Sequence, residues 1–252
     1  MVTSLLGGEL RGGDCVEYFD TPLESSRMMF FDPWYFVAIA PALVLGMWAQ
    51  WRIRSAYSQG MQVRAPLSGA AAARHVLDSA GLQGVPVEQT PGHMSDHYDP
   101  RQRVIRLSPE VYGSSTMTAV GIAAHEAGHA IQHATGYAPL AIRNAAVPLA
   151  NFGSNISFLL IILGAFFSQM LIWLGIIAFA GIVLFQLINL PVEFNATSRA
   201  KQQLVQLGIA NQQGMQYVNK VLNAAALTYV AATLQSLLTL LYLIMRFGGS
   251  RH

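Results

Sequence analysis

The sequence predicts a mainly α, multipass membrane protein with about four transmembrane helices and a small α+β domain on the cytoplasmic side. Three observations point there. Of its 252 residues, 53% are hydrophobic and only 11% are charged, against the roughly 25% charge usual in soluble domains. Four segments are long and apolar enough to cross a bilayer, which takes about 20 helical residues. Between the first and second lies a polar stretch that reads as a small folded unit.

Residues 1–28 contain Glu9, Asp14, Glu17, Asp20 and Glu24 but no long apolar run. They lack the pattern of a secretory signal and are expected to form a disordered extension ahead of Met28 or Met29. The first span falls within residues 29–51, with Trp34, Tyr35, Trp48 and Trp51 near its ends, where interfacial aromatics sit. Residues 52–143 form the polar domain. In it, residues 69–80 read as an amphipathic helix with Ser68 as N-cap and an end near Gly81. Residues 85–89 and 103–107 read as short strands separated by a turn-rich stretch at 92–100. Ser108-Pro109 opens a helical turn, and Ser114 or Ser115 can cap the helix that follows.

The second and third spans, near 147–167 and 170–190, form a tight hairpin at Ser168-Gln169 within residues 144–190. Residues 191–221 return as a helical segment. The fourth span lies within 222–246, and residues 247–252 are a tail. Of the fifteen Lys and Arg residues, eleven fall in the two long loops and four on the other side: Arg11, Arg27, Arg246 and Arg251. That bias puts both long loops in the cytoplasm.

The chemistry is concentrated in His125-Glu126-Ala127-Gly128-His129. A helix puts residues i and i+4 on one face, so His125 and His129 can reach one Zn²⁺. Glu126 lies one residue further round, where it can take a proton from a zinc-activated water. A third ligand is needed. After Glu126 the chain has a single acidic residue, Glu193, just outside the third span and on the same side of the membrane as the histidine pair. An isolated carboxylate there needs a partner or a purpose. A surface pair with Arg199 or Lys201 is the bland alternative. His133 is offset by ~80° and two turns from His125, so it cannot reach the same ion on a regular helix. His252 falls on the other side.

His93 and His97, with Asp96 and Asp99, either form a separate metal cluster or line the cleft; lining is favoured. His97, Tyr98 and Arg199 are candidate oxyanion donors. Residues 104–107 are the candidate strand to pair an extended substrate, with a plain structural strand as the alternative.

At these positions the chain resembles a known family. The stretches Gly92-His-Met-Ser-Asp-His-Tyr-Asp-Pro100, Val104-Ile-Arg-Leu-Ser-Pro109 and Ala123-Ala-His-Glu-Ala-Gly-His-Ala-Ile-Gln-His133 are similar to the bacterial membrane-bound neutral zinc metallopeptidases (YugP-like). The likeness extends over about residues 29–246. It implies a multipass inner-membrane protein with a gluzincin-like zinc site, which makes the polar domain zincin-like. More distantly, the strand, the motif helix and Glu193-x-x-Ala196 resemble the heat-shock membrane protease and CAAX-protease superfamily. That wider pattern has an Asp where this chain has Thr197.

The function expected is a membrane-embedded zinc metalloendopeptidase. It would cleave polypeptide at the cytoplasmic face of the inner membrane, with the lipid bilayer as its surroundings. A metal-binding but inactive membrane scaffold is the alternative. An intramembrane protease of the site-2 type would need an Asp-Gly ligand motif in a later span, and no Asp follows Asp99. An ATP-dependent protease would need a phosphate-binding Gly-x-x-x-x-Gly-Lys loop, and Lys occurs only at 201 and 220. No nucleotide is implied. A net charge of +2 without a basic patch excludes nucleic acid as a partner. Cys15 is the single cysteine and cannot form an internal disulfide.

Overall fold

The computed structural model describes residues 32–248. The N-terminal extension, Cys15 and the last four residues of the tail, with His252, lie outside the described residues. The chain runs α1 (Pro33–Met61), α2 (Gly69–Ser79), β1 (Val87–Gln89), β2 (His97–Asp99), β3 (Val104–Leu107), α3 (Pro109–Gly113), α4 (Met117–Ala134), α5 (Ala138–Phe167), α6 (Gln169–Gln206) and α7 (Gln212–Gly248). It is mainly helical, and α1, α5, α6 and α7 are each long and apolar enough to cross a membrane.

These four helices overshoot the spans that hydropathy delimits. α1 continues ten residues past the first span, through Arg52 and Arg54. α6 runs unbroken from the hairpin through Pro191 to Gln206, and α7 starts ten residues before its apolar stretch. Apolar composition marks where lipid ends, whereas helical hydrogen bonding continues for as long as packing supports it.

The overshooting ends build the polar part. One core cluster joins Val76 and Leu77 of α2, Ile105 and Leu107 of β3, and Val120, Ala123, Ala124 and Ala127 of α4. Leu204 of α6 and Val218 of α7 complete it. α4 is the hub: Ala-rich and almost wholly buried, it packs on α2, α6, α7 and the end of α1. The buried Thr118 hydroxyl donates to Tyr57 O of α1 at 3.0 Å.

Local signals explain most element ends. Asp32 caps α1 by accepting from Trp34 N at 2.9 Å, with Pro33 following. Ser68 caps α2 as its sequence position suggests, accepting from Ala71 N. The cap of α4 is Thr116, which accepts from Ala119 N, rather than Ser114 or Ser115. α4 ends at Gly136, whose positive φ of 62° suits a residue without a Cβ, and Tyr137 N returns to Gln132 O. Ser168 alone separates α5 from α6, so the hairpin is as tight as expected.

The sheet order is β1-β3-β2, with β1 parallel and β2 antiparallel to β3. Two corrections to the sequence reading follow. Residues 92–100 are not all turn, since His97–Asp99 form a strand. β3 is central, with both edges paired, so it cannot be the strand that adds an extended substrate; the free edge nearer α4 belongs to β2.

The four long helices stand in an open row. α5 packs on α6, α6 on α7 and α7 on α1, while α5 and α7 make no comparable contact with each other.

Close backbone approach fixes where α2 begins. A Cβ on Gly69 would stand 2.1 Å from Val111 O. Gly69→Ala is expected to destabilise the protein by about 1–3 kcal/mol, the usual range for overpacking. Gly113→Ala, where nothing lies within 4 Å, should leave thermal unfolding in detergent close to wild type.

Candidate metal centre

α4 and α6 cross with almost no space between them. A Cβ on Gly128 would stand 2.7 Å from Ala196 O. Gly128 therefore lets the two backbones meet, and within one turn of that contact the chemistry converges. His125 and His129 lie on one face of α4, and Glu193, one turn before Ala196 on α6, reaches between them. His125 Nε2 is 3.3 Å and His129 Nε2 is 3.7 Å from Glu193 Oε2.

The three side chains each offer one ligand atom within 4.8 Å of the others, and among the described residues they are the one such group of His, Cys, Asp or Glu. Glu193 is buried, and its Oε2 has no hydrogen-bond partner. A buried carboxylate oxygen left unpaired between two imidazole nitrogens is costly in a protein interior. Two nitrogens and a carboxylate suit zinc, so the residues fit a divalent cation.

The far sides of both imidazoles are already engaged. His129 Nδ1 donates to Gln132 Oε1 at 2.9 Å, since an amide oxygen can only accept. Gln132 is fully buried, and its Nε2 donates to Val192 O at 2.8 Å and Asn195 Oδ1 at 3.0 Å. A neutral His129 is thus held in the tautomer that presents the Nε2 lone pair to Glu193. The Thr197 hydroxyl lies 3.3 Å from His125 Nδ1. The group that meets the far side of His125 is thus a neutral hydroxyl and not a carboxylate.

A cavity of ≈ 110 Å³ opens on this group. It is lined by Asp96, Tyr98, His125, Glu126, His129, Arg143, Asn144, Glu193 and Tyr229, with Pro100 and Leu140. Glu126 is buried beside the histidines. Arg143 donates from Nε to Asn189 Oδ1 and from Nη1 to Asn144 Oδ1, leaving Nη2 4.0 Å from Glu193 Oε1. Tyr98 is hydrogen-bonded to His133 Nδ1 at 2.8 Å, and burial pushes its phenol above the ordinary range, so it stays protonated.

Of the other residues singled out in the sequence, His93, His97 and Arg199 stand outside the cavity. His93 pairs with Glu110 at 2.8 Å, and Glu110 also accepts from Tyr57 OH. His97 Nδ1 donates to Ser95 O. Asp96 accepts from Ser108 N and Oγ. Asp99 closes a turn, and hydrogen bonds from the Gln102 and Arg101 amides, with Arg106 beside it, hold its carboxyl below the usual range. No second metal cluster forms from these residues. Arg199 lies behind the site, donating to Asn195 Oδ1 at 2.8 Å with its guanidinium over the Tyr137 ring.

The sequence reading did not find Gln132, Arg143 or Tyr229. Arg143 had a signal, as the one charged residue in α5. Gln132 had one in its spacing, three residues after His129.

The model of the family described as "Putative neutral zinc metallopeptidase" matches residues 35–248. The chain is 48% identical over 219 residues to a protein of Bacillus subtilis (strain 168) called "Putative membrane protease YugP". The alignment covers 86% of this chain and 97% of that protein. No solved structure matches. By the family match and this identity, the chain belongs to that zinc metallopeptidase family.

Gly128→Ala forces α4 away from Ala196. It should lower thermal stability in detergent by about 1–3 kcal/mol, although Ala is the better helix former. An unchanged or raised melting temperature would show that the crossing tolerates a methyl group.

Proposed function

We propose that this member of the family is a membrane-embedded zinc metalloendopeptidase that hydrolyses polypeptide at the cytoplasmic face of a bacterial plasma membrane. The observation that carries the reading is the unpaired, buried Glu193 Oε2 between His125 Nε2 and His129 Nε2. His125, His129 and Glu193 would hold the ion. Zinc bound there would polarise a substrate carbonyl and make a water acidic enough to attack it.

The protein's own groups do the rest. Glu126 accepts the proton of the attacking water and returns it to the departing amine. Arg143 and Tyr229 line the cavity as donors for the oxygen on which negative charge develops. β2 lies beside the cavity with one free edge, where an extended polypeptide can add by main-chain pairing. Gln132 and Thr197 position the two imidazoles.

The orientation rests on charge. Eleven of fifteen Lys and Arg residues fall on the side that carries the centre. On this reading residues 52–143, completed by 191–221, form a cytoplasmic zincin-like unit, with residues 144–190 and the first and last spans in lipid.

Three variants test it in detergent-purified protein. Wild type should carry one zinc per chain by mass spectrometry, as a three-ligand catalytic site does, and Glu193→Ala should lose it; full retention would remove Glu193 from the centre. Glu126→Gln should keep the metal and slow casein hydrolysis by roughly 10²–10⁴-fold, the usual contribution of a general base. Gln132→Leu should weaken zinc binding by about 10–100-fold in a chelator competition, the usual effect of losing a partner behind a ligating histidine.

A further inference from the structure

The cavity carries a negative charge that hydrolysis at the centre does not use. Of the eight acidic residues within the described part of the chain, six have a basic side chain as ion-pair partner: Asp32, Asp78, Glu88, Asp99, Glu110 and Glu193. The two without such a partner among the described residues are Glu126 and Asp96, and both line the cavity. Glu126 serves there as the base. Asp96 has no part in that chemistry. The one Lys or Arg lining the cavity, Arg143, stands against Glu193 instead.

The fold explains part of Asp96. Its Oδ1 accepts from Ser108 N at 2.8 Å and from Ser108 Oγ at 3.0 Å, which ties the run before β2 to the residue that opens α3. The same hydroxyl lies 3.3 Å from Oδ2. One oxygen serves both shorter bonds, and the side-chain oxygen of an asparagine would serve them as well. Neutral donors stabilise a carboxylate without cancelling its charge, and charges withdrawn from water are ordinarily paired. Asp96 is half-buried. Folding thus accounts for the oxygen and leaves the charge without a purpose.

Position supplies the partner. Asp96 stands two residues before Tyr98 in the run that enters β2, and both side chains line the cavity, as i and i+2 on one face of an extended chain do. β2 has one edge unpaired. A polypeptide added to that edge turns every second side chain to the same face, and one of them comes to stand beside Asp96. We propose that Asp96 receives a Lys or Arg side chain of the substrate, an assignment that rests on the peptidase reading of the centre. Opposite charges attract across paired strands, and like charges there repel. Lys and Arg also carry the charge on a long apolar stem, which lets it reach a recessed carboxylate. The substrate class is therefore polypeptide with a basic residue close to the bond that is cut.

The test reads binding and needs no turnover. Full-length, zinc-loaded Glu126→Gln protein in nonionic detergent is titrated into short fluorescent peptides acetylated at the N-terminus, and binding is followed by anisotropy. The peptides are identical except for one residue, lysine, norleucine or glutamate, which is moved along the chain from peptide to peptide. At one position lysine should bind about 5-fold tighter than norleucine, the effect of a strong opposite-charge pair across strands, and glutamate should bind weakest. Adding Asp96→Asn, which keeps an oxygen for Ser108, should leave zinc content and melting temperature as they were and make lysine and norleucine bind alike. Added salt should shrink the lysine preference with Asp96 in place. A lysine peptide that binds no better than norleucine at any position would overturn the proposal, as would a preference that survives Asp96→Asn. An Asp96-dependent gain seen only for a norleucine peptide with an unblocked N-terminus would assign the cation to the α-ammonium group and overturn the side-chain assignment. Because binding is read without cleavage, the preference stands even where the wild type leaves casein uncut. Failure of the Asp96 assignment and failure of the peptidase reading are thus seen separately.

Discussion

The contact between Gly128 and the Ala196 backbone is the constraint on which the site depends. α4 carries two of the three converging side chains and α6 carries the third. Their separation is set at one point, where the absent Cβ lets helix meet helix. The Ala-rich face of α4 extends that close approach to α2 and α7. Once the axes are fixed, Gln132 ties its own helix to Val192 and Asn195 of α6 through one amide. The same amide sets the His129 tautomer. Packing and chemistry are therefore coupled through a buried polar side chain with all its bonds satisfied, which is the condition under which such groups specify a single arrangement.

Much of this was legible in the sequence, for identifiable reasons. Four apolar stretches and the i, i+4 histidine pair are local patterns with strong physical meaning. Glu193 stood out because no other acid follows Glu126. The Ser68 cap and the one-residue link at Ser168 were readable from turn chemistry. Less legible was anything that depends on which strand lies between which. Residues 104–107 read as a strand, but their central place depends on His97–Asp99, three residues hidden among turn formers. The full helix lengths were not legible for a related reason, since hydropathy delimits an apolar span and says nothing about helix that continues into protein. Arg143 and Tyr229 reach the cavity through the tertiary placement of α5 and α7, and no spacing rule links them to residue 125.

The absence of a carboxylate behind either histidine distinguishes the centre. Thr197 and Gln132 meet the two imidazoles with neutral groups. Glu193 is thus the single carboxylate among the three candidate ligands, and Arg143 stands at the far side of it. The charge around the centre is kept low where an apolar stretch without any charged residue begins. That arrangement agrees with a site at the edge of lipid, where each added ion would carry a desolvation cost.

The helix row also divides the molecule mechanically. α5 is held along its length by α6 alone, apart from the short turn that joins it to α4, whereas α4, α6 and α7 share one core. α5 therefore meets the rest of the described fold mainly through one interface and takes little part in the shared core. Excursions of α5 would carry Arg143 and Asn144 out of the cavity while His125, His129 and Glu193 kept their places. The candidate ligand set and one wall of the cavity are thus held by different sets of contacts. On the proposed function, capture of a chain and retention of an ion would then respond independently to temperature, lipid thickness or mutation.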